Sequence, residues 1–248
     1  MNSKNPFFKS DTFNSNKVHD AVIMDQYQTM TVAGTINKSF ILLLLLVVGA
    51  FGTWNMVSNE QNPMIFTIGG AIVGLILVLI TSFKPHLSTY LSPAYAICEG
   101  LFIGGISAIL DQVYPGIVIQ AVTCTFVTFL VCLALYKYKI VQVTEKFRSV
   151  VIAATAAIAI YYIISWGLTF FINYQPVHYG NSMASIGISL FVIVIAALNL
   201  FLDFDQIETG AAQGAPKYME WYGAMGLMIT LVWLYVEFLR LLSKLSKK

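Results

Sequence analysis

Charge is scarce in this chain. Only 10% of its 248 residues are Asp, Glu, Lys or Arg and 58% are hydrophobic, where a soluble domain carries about 25% charged residues. The charges gather between apolar runs of about 20 residues, each long enough to cross a hydrocarbon core. Both features exclude an ordinary soluble domain and point to an all-α integral membrane protein. The net charge of +2 leaves no basic patch of the kind that tracks a phosphate backbone, so nucleic acid is not an expected partner.

Histidine and cysteine are equally sparse. His19, His86 and His178 are far apart and fall in loops or the polar N-terminal stretch, and no HExxH is present, so a zinc site has no ligand cluster. There is no GxSxG either, which removes the usual nucleophile of a serine hydrolase. Enzyme chemistry is therefore not expected, nor is a resident cofactor. Cys98, Cys124 and Cys132 lie inside apolar segments without CxxC spacing and read as small buried hydrophobes. Residues 1–38 are polar and mixed in charge and lack the short apolar region of a signal peptide. They read as a cytosolic segment, in which MDQYQTM and TINKS could form a short interfacial helix, ahead of a transmembrane domain over residues 39–248.

That domain contains seven apolar spans: about Ser39–Ser58, Pro63–Phe83, Leu87–Leu110, Ile117–Tyr136, Val150–Ile172, Met183–Asp203 or one to two turns further, and Tyr218–Leu242. The third is the most polar, with Pro93, Glu99, Gly100, Gly104 and Gly105, and its small residues let neighbouring helices approach closely. With the N-terminus inside, the inner side collects Lys4, Lys9, Lys17, Lys38, Lys84, Lys137, Lys139, Lys146, Arg148 and Lys217, ten of fourteen basic residues. Arg240, Lys244, Lys247 and Lys248 follow the seventh span and oppose that orientation, a conflict that six true spans, with a last segment dipping in and returning, would remove.

The acids are the candidate site residues. An ionised carboxylate at membrane depth costs roughly a few kcal/mol, so it normally faces a partner or a watery cavity. Glu99 lies near the middle of the third span, Asp203 and Asp205 at the inner end of the sixth, and Glu237 in the seventh with Arg240 one turn on. Glu237 and Arg240 could equally be an i,i+3 pair at a helix end, and Asp205 and Glu208 could simply be solvated. Two membrane carboxylates brought close cannot both ionise cheaply, so one proton is shared and a proton-sensitive latch results. Spacing alone does not say which acids meet.

Three stretches, PAYAICEGLFIGGIS (Pro93 to Ser107), LFLDFDQIETG and GAPKYMEWYGAMGLMITLVWLYVEFLRLL, resemble the bacterial branch of the Bax inhibitor-1 family. The resemblance implies six helices around a central seventh, residence in a bacterial plasma membrane, and a pH-sensitive calcium leak. It also implies an aspartate pair that senses pH, one on the sixth helix and one on the seventh. Asp203, four residues before Ile207, matches the first better than Asp205. Glu237, in LYVEF where the family has an LYxDF-like motif, takes the place of the second. Asp203 and Glu237 are then the expected calcium ligands, with Lys84 the counterpart of a basic latch near the inner end of the second helix and Arg240 a second candidate. The connection GAAQGAPKYMEW is longer than the resemblance to small bacterial members implies, so the two acids sit level only if the sixth helix extends past Asp203 or the seventh begins near Gly223. Membrane lipids, calcium ions and protons are the partners so implied. The rival readings are a proton-coupled exchanger and a non-transporting regulator of a membrane protease or stress-response complex.

Overall fold

The computed structural model describes residues 29–172 and 176–246. Among them are seven long helices: α1 (Val32–Ser58), α2 (Met64–Phe83), α3 (Ser88–Val113), α4 (Ile117–Lys137), α5 (Glu145–Ile172), α6 (Met183–Ala212) and α7 (Met219–Ser246). Each is long and apolar enough to cross a membrane, and no β-strand occurs among the described residues.

Local chemistry sets the ends. The Thr31 hydroxyl accepts the Gly34 N–H at 3.0 Å and caps α1, and Ser182 caps α6 by accepting from Ser185 at 3.2 Å. Asp111 accepts the Gly116 N–H at 2.9 Å and closes the α3–α4 turn. The first helix begins at Val32, before the expected Ser39, because its early polar residues are satisfied within the helix. Thr35 donates its hydroxyl to Thr31 O and Ser39 donates to Thr35 O, both at 3.0 Å. TINKS is thus part of α1, while most of MDQYQTM lies outside the described residues. The sixth helix runs past Asp203 to Ala212.

Successive helices alternate in direction. The start of α7 meets the starts of α1 and α3, through Thr31 to Glu220, Ser88 to Tyr218 and Ser92 to Trp221. The end of α6 meets the end of α4 and the start of α5, through Tyr136 to Glu208 and Arg148 to Asp205. These contacts define a basic end of the bundle, which carries Lys38, Lys84, Lys137, Lys139, Lys146, Arg148 and Lys217. The opposite, far end holds the α5–α6 connection and the end of α7, where Lys244 donates to Ser185 O and Ser189 Oγ.

α7 is one unbroken helix, which removes the six-span alternative. Its two far-end cations within the described residues are not free loop charges: Arg240 is ion-paired to Glu237 and Lys244 is 4% exposed. They oppose the charge-asymmetry rule less than a raw count of basic residues suggests. α7 is also the most enclosed helix, with 56% of its most apolar window inside the protein against 17% for α5. It packs against α1, α3, α4 and α6. Leu44, Val48 and Phe51 of α1 and Ile65 and Phe83 of α2 point outward, as a lipid-facing surface requires. The closest approach joins α1 to α3, where a Cβ added at Gly49, Gly100 or Gly104 would collide with backbone of the facing helix.

Candidate functional site

The seam between α6 and α7 holds the least satisfied acid in the bundle. Asp203 of α6 has the Thr230 hydroxyl of α7 within hydrogen-bonding reach, although that hydroxyl also contacts Gly226 O at 3.4 Å. The other carboxylate oxygen, Oδ2, is buried with no hydrogen-bond partner. Residues flanking the pair along both helices, Leu200, Phe204, Leu227, Leu231 and Leu234, belong to a single apolar cluster. A carboxylate here lacks the solvation that water would give it.

Glu237 lies seven residues beyond Thr230 on α7, two helical turns or about 10 Å further along the axis. It is 1% exposed. Its Oε1 accepts from Arg240 Nη1 at 2.9 Å and from the Tyr162 hydroxyl at 3.3 Å, and Arg240 also donates to Tyr162 at 2.8 Å. The guanidinium sits over the Tyr162 ring, 5.2 Å from its centroid; the Trp233 side chain is also within reach of the Glu237 carboxylate, and Oε2 itself makes no hydrogen bond. Beside this group His178 is buried on the 3₁₀ turn Val177–Tyr179, with Nδ1 2.9 Å from the Tyr161 hydroxyl. Burial first, then the nearby Arg240 and Lys244 charges, hold the His178 pKa below its ordinary value.

Asp203 and Glu237, expected to share a proton or a calcium ion, occupy different levels and keep different partners. Each alone offers two carboxylate oxygens, whereas calcium takes six to eight oxygen ligands. Among the described residues no group of three or more His, Cys, Asp or Glu could hold a metal ion.

The family model described as "Bax inhibitor 1 like" matches residues 5–247 of this chain. The chain belongs to the Bax inhibitor-1 family. No curated protein matches it. For this member of the Bax inhibitor-1 family, the residue that faces Asp203 from the seventh helix is Thr230, a hydroxyl in place of the expected second carboxylate. The i,i+3 reading of Glu237 and Arg240 is the geometry found.

The other sequence candidates are dispersed. Asp205 accepts from Arg148 Nη2 at 2.7 Å and ties α6 to α5 at the basic end. Glu99 is half-buried on α3, with the Tyr95 hydroxyl in hydrogen-bonding reach and its carboxylate turned to Gly74 of α2, where an added Cβ would lie 3.3 Å away. Lys84 is exposed at the end of α2 and takes part in no ion pair among the described residues, so it does not latch Asp203. Cys98, Cys124 and Cys132 are free thiols.

One acid escaped the sequence reading. Glu220, in the first turn of α7, is 0% exposed. It accepts from Thr31 N–H and Thr31 Oγ, each at 2.9 Å, and pairs with Lys217 at 2.8 Å and with Lys38. The i,i+3 spacing to Lys217 was the available signal. The partner from α1, 182 residues away in sequence, left none.

Proposed function

We propose that this Bax inhibitor-1 family protein is a proton-regulated cation leak, with calcium among the ions it passes, and that the proton on Asp203 sets its state. The observation that supports this reading is the buried Oδ2 of Asp203, which has no hydrogen-bond donor. With a proton the side chain is neutral and sits in the apolar seam at modest cost. Without it, a charge at membrane depth costs roughly 2.5–3.5 kcal/mol on the insertion scale, and one shared hydroxyl does not offset that. The seam then gains by admitting water or a cation beside the carboxylate, and ionised oxygens suit a hard cation. Conduction rises as the proton leaves, so flux climbs with pH. In this scheme Glu237 is the fixed counter-ion of Arg240, and Glu99 is a second carboxylate facing the bundle. The membrane is a bacterial plasma membrane in this reading, with the basic end in the cytoplasm, because seven of the nine basic residues among the described ones lie at that end. A cysteine placed at Lys139 should then resist an impermeant thiol reagent added outside intact cells.

Calcium influx into liposomes containing purified protein, scanned over pH, tests the reading. Wild type should conduct more at higher pH, and Asp203→Asn, neutral at every pH, should conduct little and without pH dependence. An unchanged profile in Asp203→Asn removes Asp203 from the role. Calcium movement only against a proton gradient would make the protein an exchanger. No flux at all, with a stably co-purifying membrane protease, would favour the regulator instead.

A further inference from the structure

The α6–α7 seam is closed at its basic end by a residue from outside both helices. Met30, just ahead of α1, is 4% exposed and sits against two glycines, Gly210 of α6 and Gly223 of α7. A Cβ added at Gly210 would lie 3.2 Å from Met30 Sδ, and one at Gly223 would lie 3.6 Å from Met30 Cε. Gly210 is seven residues past Asp203, and Gly223 is seven residues before Thr230. Both glycines therefore lie two turns, about 10 Å, from the Asp203–Thr230 contact, along the same seam. Ile207 of α6 and Thr35 of α1 also pack on Gly223, so Met30 fills what the two glycines leave open beside them, and methionine is the flexible apolar filler for such a gap.

The segment carrying Met30 is fastened from two directions. The Met30 N–H donates to Ala215 O at 2.7 Å, and Thr29 forms an antiparallel bridge with Pro216, which holds the segment to the α6–α7 turn. On the other side, the buried Glu220 carboxylate takes Thr31 N–H and Thr31 Oγ on Oε1 and Lys38 on Oε2. Thr31 in turn caps α1, so a single carboxylate fixes both the segment and the start of the helix. Lys217, the remaining partner, is half exposed, which leaves the cluster open to water on one side.

We propose that Met30 is a stopper closing the basic-end mouth of the seam that leads to Asp203, and that Glu220 is the positioning residue that latches it shut. The proposal rests on the leak reading and adds a second, mechanical gate to it. Conduction requires Met30 to leave the Gly210–Gly223 notch, and the Glu220 contacts set how often it does.

Two measurements test it, both in a background with Cys98, Cys124 and Cys132 changed to Ala. In the first, Thr29→Cys and Pro216→Cys are combined, since residues directly opposite in an antiparallel bridge are close enough for a disulfide. Oxidation should cut calcium flux to about a tenth or less and reductant should restore it, because the locked state cannot reach the open population. Equal flux in oxidised and reduced protein overturns the stopper. The second needs no flux. Thr35 is 1% exposed and faces Gly223, so Thr35→Cys reports whether α1 stays docked. Its modification by a maleimide should be about tenfold faster with Glu220→Gln, which raises the frequency of local opening. The milder Lys38→Gln should give a smaller increase in the same direction if Glu220→Gln folds poorly. Unchanged modification in both variants overturns the latch. A wild type without flux at any pH overturns the leak and the stopper with it, while the labelling result still decides whether Glu220 fastens the segment.

Discussion

Glu220, fully buried, and Asp203, half-buried with its Oδ2 enclosed, are carboxylates on facing helices, and the protein treats them in opposite ways. Glu220 collects two lysine amines, a backbone N–H and a hydroxyl, whereas Asp203 has one shared hydroxyl in reach and an oxygen with nothing. Both have left water, but only one has had its solvation replaced. A fully donated carboxylate holds elements together and is costly to disturb; a poorly donated one contributes little to stability and is free to change its charge. Glu237 stands between them, with Oε1 held by Arg240 and Tyr162 and Oε2 bare.

The comparison breaks most directly at Glu220. Glu220→Ala strands Lys38 and frees the start of α1, and removing one partner of a buried ion pair costs about 3–5 kcal/mol. Its melting temperature in detergent should fall further than that of any other variant here, and a fall no larger than for Asp203→Asn would mean that donor count does not separate the two acids. Next comes Arg240→Met, which leaves Glu237 with the Tyr162 hydroxyl and the Trp233 side chain and should cost about 2 kcal/mol, in the range for hydrogen bonds to charged groups. Adding Glu237→Gln should recover part of that loss, since the stranded charge is gone. Additive losses would show that the pair is not a unit. Asp203→Asn should leave the melting temperature within about 1 kcal/mol of wild type, because little is lost with a poorly donated carboxylate, while flattening the pH profile of flux.

The smallest effect belongs to His178, outside the spans. Its folded pKa lies below the ordinary value because of burial, then Arg240 and Lys244. Between the unfolded value near about 6.5 and the lower folded one, the unfolded chain binds the extra proton. Stability contributed by neutral His178 is therefore present above that window and is lost as pH falls through it. Thermal scans between neutral and mildly acid pH should show a shallower decline for His178→Gln, and an identical decline would place the acid sensitivity elsewhere.

The seven spans were legible because a membrane helix needs a long apolar run and polar residues punctuate it. Asp203 was legible as an acid where few occur, and the Glu237–Arg240 pair because i,i+3 neighbours meet on any helix. Facing across helices was not legible. A helix apolar on nearly every side has no stripe to say which face turns inward, so Thr230 opposite Asp203 and Lys38 opposite Glu220 left no trace in spacing. The start of α1 was placed late for a related reason: TINKS read as a polar lead-in or a separate short interfacial helix, yet Thr35 and Ser39 return their hydroxyls to the helix's own carbonyls. The height of Glu237, two turns beyond Thr230 along α7, was not legible either, since motif similarity carries no axial height.

The glycine contact between α1 and α3 has a mechanical consequence. Where Gly49, Gly100 and Gly104 let α1 and α3 touch through their backbones, and Gly70 does the same for α2 against α3, no side chains remain between them to deform, so the three helices tilt as one rigid body. That body carries Thr31 and Lys38, beside Glu220, at its basic end, and Glu99, next to Gly100 and turned toward Gly74, near its middle. A swing that lifts the start of α1 off α7 therefore carries α2, α3 and Glu99 with it and leaves the packing of Glu99 on Gly74 unchanged.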